Sequence, residues 1–255
     1  MNKTKRVIRG ILLPGLTLSV LLIGCENDTR VLAPDIQSVS LEKNVGHKSN
    51  RALQFDGVDD YVDLPESSSL TNFTNQITIE AWIYSDNFQN ASIIASGNQN
   101  DYALASQPDG RLRVDMYAID VSGVGAFFSR TSLLTHRWYH VAVVYDGSHQ
   151  TIFIDGSADT SRPASGNLST SPQSEDVRIG SYSGAGPNFF RGIIDEVRIW
   201  NVARTRAQIR SRMNTELTGG EAGLMGYWKL NGNVLDTSPN GNNGSIFGDP
   251  VFVAR

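Results

Sequence analysis

From about Arg51 onward, apolar residues fall in short runs instead of at helical spacing. "TIEAWIY", "ASIIAS", "RLRVDMY", "YHVAVVY", "TIFID", "VRIGSY", "IIDEVRIW" and "LMGYWKL" are rich in Val, Ile, Tyr and Trp and are bounded by Gly, Asn, Asp or Ser. Such runs predict strands. Asp-Gly pairs punctuate them at Asp56-Gly57, Asp109-Gly110, Asp146-Gly147 and Asp155-Gly156. Glycine takes positive φ without steric cost, which a tight hairpin turn requires. "VAVVYDGSHQTIFIDG" is the clearest hairpin. One stretch departs from the rhythm: in "NVARTRAQIRSRMN", Val202, Ile209 and Met213 fall on one side of a short helix. The pattern predicts an all-β domain over residues 51–255 with one short helix in its last third, large enough for a single double-sheet core.

The beginning of the chain is different. Lys3, Lys5, Arg6 and Arg9 precede "ILLPGLTLSVLLI", an apolar run shorter than the ~20 residues of a spanning helix. Residues 1–24 are therefore expected to be a secretory signal peptide. The run ends in Leu22-Ile23-Gly24-Cys25, which resembles the bacterial lipobox, and Cys25 is the only cysteine of the chain. Cys25 is the expected lipidation site. Residues 25–50 then read as the lipidated cysteine and a polar, flexible tether. The expected location is the bacterial cell envelope, with the protein anchored through lipid to the outer membrane or the cell surface. Without a second cysteine there is no intrachain disulfide, and the core must hold the fold.

Removing residues 1–24 takes away four of the 22 Lys and Arg and none of the 26 Asp and Glu, so 18 remain against 26 and the net charge is −8. An acidic chain with no basic stripe is not built for nucleic acid, which is bound by clustered Lys and Arg neutralising phosphates. The acidic residues are themselves clustered at "ALQFDGVDDYVDLP", with four carboxylates between Asp56 and Asp63. Neighbouring strand residues project to opposite faces, so Asp59 and Asp60 cannot both address one substrate from a strand. A turn with oxygen ligands is the better reading.

In their order, "ALQFDGVDDYVDLP", "ITIEAWIY", "RWYHVAVVYDG", "TIFIDG", "VRIGSY" and "FRGIIDEVRIWNVARTRAQI" resemble the laminin-G-like domains of the concanavalin A-like lectin and glucanase superfamily, the branch that includes pentraxins. The resemblance covers residues 51 to about 248. It implies a jelly-roll sandwich of two curved antiparallel sheets, a fold that hosts lectins, glycosidases, adhesion modules and spacers alike. One departure is that "GLMGYWKLNGNVLDTSPNGNNGSIFG", which opens many bacterial members, closes this chain. It is expected to complete the same domain from its C-terminal side, since a truncated repeat would expose "LMGYW" and "SIF".

Glucanases of this superfamily carry two glutamates and an aspartate at alternate strand positions. No such row is found here. Glu80 stands alone, and the adjacent pairs Glu175-Asp176 and Asp195-Glu196 are expected to split across faces. There is no Gly-x-Ser-x-Gly and no His-Glu-x-x-His. His47, His136, His140 and His149 are scattered, and His140 in its apolar strand reads as a hydrogen-bonded structural residue. A non-catalytic domain is expected.

The same resemblance implies a structural calcium held by turn carbonyls near the first strand and by the aspartate of a late long strand. The matching positions are Gly57 and Asp195, with Asp56 and Asp59 beside them. The alternative leaves Asp56-Gly57 as a plain turn. "DTSPNGNNG" is a second oxygen-rich loop, but Phe247 stands where a calcium loop needs its twelfth-position Glu, and it reads as a tight loop between strands. Sugar binding, expected of the lectin relatives, would use exposed rings. Trp82, Trp138, Trp200 and Trp228 lie in strand patterns and read as core. The loop candidates are Tyr117, Tyr182, Phe189 and Phe190. The functional expectation is a lipid-anchored lectin-like protein that recognises a glycan. An adhesive lipoprotein that binds an envelope protein is the alternative, and a glycosidase with atypical residues is a third.

Overall fold

The structure is a computed structural model that describes residues 51–96, 102–116, 126–168, 177–182 and 188–255. The expected signal peptide, Cys25, the tether, His47 and Tyr117 lie outside the described residues. The first half contains β1 Arg51–Asp56, β2 Tyr61–Leu64, helix α1 Ser68–Thr71, β3 Ile77–Ser85, β4 Ala91–Ser96, β5 Tyr102–Ser106, β6 Arg111–Met116 and β7 Phe127–Ser132. The second contains β8 Trp138–Tyr145, β9 His149–Ile154, β10 Ser157–Pro163, β11 Val177–Ile179, β12 Arg191–Trp200, helix α2 Arg206–Arg212, β13 Leu224–Trp228, β14 Ser245–Phe247 and β15 Val251–Ala254.

These strands form a jelly-roll sandwich of two antiparallel sheets. One sheet has eight strands in the order β10-β9-β8-β3-β12-β1-β15, with β13 on β12, and the other has seven in the order β14-β2-β11-β4-β5-β6-β7. Alternation decides which side chains meet between them. Leu53, Phe55, Ile79, Ile83, Val141 and Val143 from the first sheet join Val62, Leu64, Ile94, Leu104, Leu112 and Val114 from the second in one buried cluster. The hairpin read from "VAVVYDGSHQTIFIDG" is β8-β9. The next turn, into β10, has both central residues at positive φ, Asp155 at 49° and Gly156 at 66°. That is the twist a two-residue hairpin needs.

The C-terminal segment contributes to both sheets. β13 pairs with β12, β14 with β2 and β15 with β1. Trp228 is fully buried, and its indole N–H donates to the Asn242 carbonyl at 2.9 Å. The loop between β13 and β14 winds around Asp236, whose carboxylate accepts from the backbone N–H of Tyr227, Ser238 and Asn242 at 2.8–2.9 Å. "DTSPNGNNG" is thus a tight loop organised by its own aspartate.

A bulge in β12 corrects one expectation from the sequence. Asp195 pairs with Trp82 and Arg198 with Glu80, so Glu196 and Val197 together face the single residue Ala81. Glu196 adopts φ 52°, an uncommon conformation for a non-glycine residue. The extra residue keeps both Ile194 and Val197 in the core. Asp195 and Glu196 do not split across faces; both join Arg198 on the outer face of the eight-stranded sheet.

There they hold down the segment that contains α2. Arg198, 1% exposed, donates to Glu196 Oε2 at 2.5 Å and to the carbonyls of Arg212 and Thr215 at 3.1 and 2.8 Å. Tyr227 donates to the same Glu196 oxygen at 2.7 Å. Glu80 accepts from the Trp200 indole at 2.8 Å, and His140 Nε2, Arg198 and Arg204 lie 3.5–3.9 Å from its carboxylate. α2 begins at Thr205 in a capping box with Gln208 and buries Ile209. Val202 lies before the helix and is 37% exposed, so the predicted apolar side reduces to Ile209 with half-buried Met213 at the C-cap.

Burial alone would raise the Glu80 carboxyl, but His140, Arg198 and Arg204 outweigh it and hold it at about 2. Glu196 goes the other way, because burial raises it more than Arg198 and Tyr227 lower it. A carboxyl whose folded pKa lies below its unfolded value of 4.5 contributes stability above pH 4.5 and loses it as pH falls towards 2. Glu80→Gln is therefore expected to cost about 3 kcal/mol at pH 7. Urea midpoints of the two proteins at pH 7, 4 and 2.5 should converge as the solution is acidified; a gap independent of pH would refute the role given to Glu80.

Candidate functional site

The outer face of the seven-stranded sheet is built differently. Ala103 and Ala105 on β5 alternate with the core residue Leu104, and Arg113 and Asp115 on β6 alternate with Leu112 and Val114. Strand register sets Ala105 beside Ser92 on one side and Arg113 on the other, and Ala103 beside Asp115. Small residues on adjacent strands leave a floor from which the flanking side chains rise. The result is an open cleft of about 120 Å³, lined by Asn90, Ala91, Ser92, Ala103, Ala105, Gln107, Arg113, Asp115, Tyr182 and Asn188.

Its polar wall is an ion pair within one strand. Arg113 Nε lies 2.7 Å from Asp115 Oδ2, and Arg113 Nη2 donates to Oδ1 at 3.0 Å. Asp115 is 7% exposed at its side chain and Arg113 36%. One charge-assisted hydrogen bond and a close ion contact hold the two side chains together, and a guanidinium and a carboxylate carry more donors and acceptors than this pairing uses. Asn90, Gln107, Asn188 and half-buried Tyr182 complete the lining. Flat apolar surface beside convergent donors and acceptors suits a small polyhydroxylated ligand. Among the described residues, Asp115 is the single carboxylate lining the cleft.

Of the three ring candidates among the described residues, Tyr182 alone lines this cleft. Phe189 is half-buried, with its ring 6.4 Å from that of Tyr61 and its carbonyl accepting from Gln89. Phe190 is 1% exposed in the core and cannot present a ring to a ligand. Arg113, Asp115 and the amides were missed by the search for aromatic loops. Their signal was the alternation of "YALAS" and "RLRVD", which places small and charged residues on a common outward face.

The tryptophans divide. Trp200 and Trp228 are buried. Trp82 and Trp138 are half-buried on the outer face of the eight-stranded sheet, against the expectation that all four are core. The guanidinium of Arg255 lies 4.9 Å from the Trp82 ring and 4.3 Å from the Trp138 ring.

The acidic turn after β1 brings Asp56, Asp59 and Asp60 together, with one oxygen from each within 4.8 Å of the others. Asp60, absent from the expected ligands, is the buried member at 1% exposure. It accepts from the Asp56 N–H at 2.9 Å and the Asp249 N–H at 2.7 Å. Burial raises its carboxyl despite those two bonds, and the charges of Asp56 and Asp249 add to the rise. Gly57, at φ 80°, turns the chain back between Asp56 and the other two. This all-oxygen, negatively charged group has the chemistry that calcium prefers.

Asp195 is not part of it. Asp56 pairs with Arg191, four residues away from Asp195 along β12, and the Asp195 carboxylate is bonded to Arg255. The expected joint site of Gly57 and Asp195 is not assembled, because strand register sets Asp195 four residues along β12 from the turn, where it meets Arg255.

A laminin-G-like family model of the concanavalin A-like lectin/glucanases superfamily matches residues 56–210. Among solved structures, the chain is similar to a protein from Bacteroides ovatus provisionally described as carbohydrate binding, with 26% identity and a TM-score of 0.65. The match covers 80% of this chain and 60% of that one. A native heptameric pentraxin from Limulus polyphemus shares the fold at 14% identity and a TM-score of 0.54, over 81% of this chain and 95% of that one. Human pappalysin-1 is 25% identical over 185 residues, which are 65% of this chain but 11% of that protein. By the family match over more than half its length and by its sandwich, the chain belongs to the concanavalin A-like lectin/glucanases superfamily.

Proposed function

We propose that this protein is a glycan-binding protein of the bacterial cell envelope, anchored through lipid on Cys25, that recognises sugar without cleaving it. The observation that carries the reading is the cleft on the seven-stranded sheet. Tyr182 offers a ring face to the apolar side of a sugar, while Arg113, Asp115 and the three amides offer donors and acceptors to its hydroxyls. The similar Bacteroides protein, provisionally described as carbohydrate binding, supports the same ligand class. Glycoside hydrolysis needs two carboxyl groups flanking the bond, and Asp115 is paired with Arg113. Glu80 and Glu196 share one face but are 0% and 1% exposed and bound to Arg198. A protein ligand is the second reading, favoured by Ile246 and Phe247 on β14, which are 42% and 45% exposed.

The calcium belongs to this proposal as a structural ion at Asp56, Asp59 and Asp60, with Gly57 forming the turn. When bound, it would supply charge neutralisation to three adjacent carboxylates. The cleft does not depend on it chemically.

Two outcomes are expected. On a glycan array the protein binds a defined group of sugars; Tyr182→Ala weakens that binding about tenfold with little change in melting temperature, and Arg113→Ala weakens it as much while also lowering the melting temperature, since it leaves Asp115 unpaired. Binding unaffected by both substitutions places the ligand elsewhere, and capture of an envelope protein insensitive to sugars favours the second reading. In thermal melting, calcium raises the midpoint relative to chelator, and Asp59→Ala abolishes the rise. Asp195→Ala lowers the midpoint equally in calcium and chelator, since its partner is an arginine; a loss confined to calcium would return Asp195 to the metal.

A further inference from the structure

On the far side of the sandwich from the cleft, Asp195 is fully buried yet faces outwards between two indoles. The cation that meets it comes from Arg255, just beyond β15. To reach Asp195 on β12, the Arg255 side chain must cross β1, whose residue there, Ala52, is fully buried and has no side-chain atom beyond Cβ. The Arg255 side chain is 11% exposed, and its guanidinium is bonded to the carboxylate and flanked by the rings of Trp82 and Trp138. The walls are fixed independently of it. The Trp82 indole N–H donates to the Met213 carbonyl at 2.6 Å, and Trp138 lies against Tyr84 with ring centres 5.7 Å apart.

A buried carboxylate below and aromatic faces on either side are what a flat organic cation requires. The carboxylate supplies a charged acceptor oxygen, and the ring faces attract a weakly hydrated planar charge. We propose that Asp195, Trp82 and Trp138 form a recognition socket for a guanidinium group, and that Arg255 is its tethered ligand. The ligand class is an arginine side chain, here supplied by the chain itself and replaceable by one from another polypeptide whenever β15 separates from β1. Among the described residues β15 pairs on one side only, and it consists of four residues, so separation of this edge precedes global unfolding.

The socket can be tested by chemical rescue with methylguanidinium chloride at low millimolar concentration, with sodium chloride as control. Arg255→Ala is expected to melt below the wild type, and methylguanidinium to restore about 3–5 °C at tenfold its dissociation constant while shifting tryptophan emission. The wild type, its socket filled, should show neither response. Trp138→Ala added to Arg255→Ala should abolish the rescue. Should Arg255→Ala not fold, Arg255→Lys keeps a cation on Asp195, and displacement of its ammonium by methylguanidinium is read from the same emission shift. No response in either variant, or an equal response without Trp138, would overturn the proposal.

Discussion

One extra residue in β12 sets the character of half the molecule. With regular pleating through "IIDEVRIW", Asp195 and Glu196 would point to opposite faces, and one of them would enter the apolar core at a cost of several kcal/mol. The bulge at φ 52° on Glu196 removes that conflict. It also concentrates carboxylates on one outer face, where they require cations. Arg198, Arg204 and Arg255 meet that need, and each draws a different piece of chain onto the sheet. Arg198 fastens the end of α2, Arg204 lies over Trp200, and Arg255 fastens the edge beyond β15.

The two outer faces are consequently unlike. That of the eight-stranded sheet is sealed along β3, β12 and β13 by charge pairing and by the segment carrying α2. That of the seven-stranded sheet has alanine and serine at its centre and little to attract a covering element. A jelly roll has two such faces available, and here the polar network covers one, while the described residues of the other leave an open cleft. The division has a physical cause: buried ion pairs demand complete enclosure, whereas small side chains on an outward face leave few charges that need a cover.

Much of the fold could be read from the sequence because its signals are local. β-branched runs mark the strands, and the glycines of all four Asp-Gly pairs adopt positive φ. The closure of both sheets by the C-terminal segment was expected from the exposure its apolar residues would otherwise suffer, and it covers most of "LMGYW" but leaves Ile246 and Phe247 of "SIF" exposed. What escaped was everything decided by partners distant in sequence. The bulge is a compromise between two neighbouring strands. Asp195 was read as a metal ligand from the resemblance alone, and the partner that the structure gives it, Arg255, is sixty residues away. Asp60 looked like one carboxylate among four until burial set it apart, and Phe190 looked like a loop ring until it was found in the core. The cleft was invisible to a search for aromatic residues, since a recess is made by what small side chains omit.

The pairing of β1 with β15 and of β2 with β14 joins the opening residues of the domain to its closing ones. Neither sheet has its full complement of strands until residues 245–254 are available. Loop-closure entropy must be met before these contacts return anything, so assembly is slow compared with a helical protein of this size. A chain emerging from a narrow channel would remain an open sandwich with two bare edges, able to pass through in extended form and to lock only after its last strands arrive on the far side.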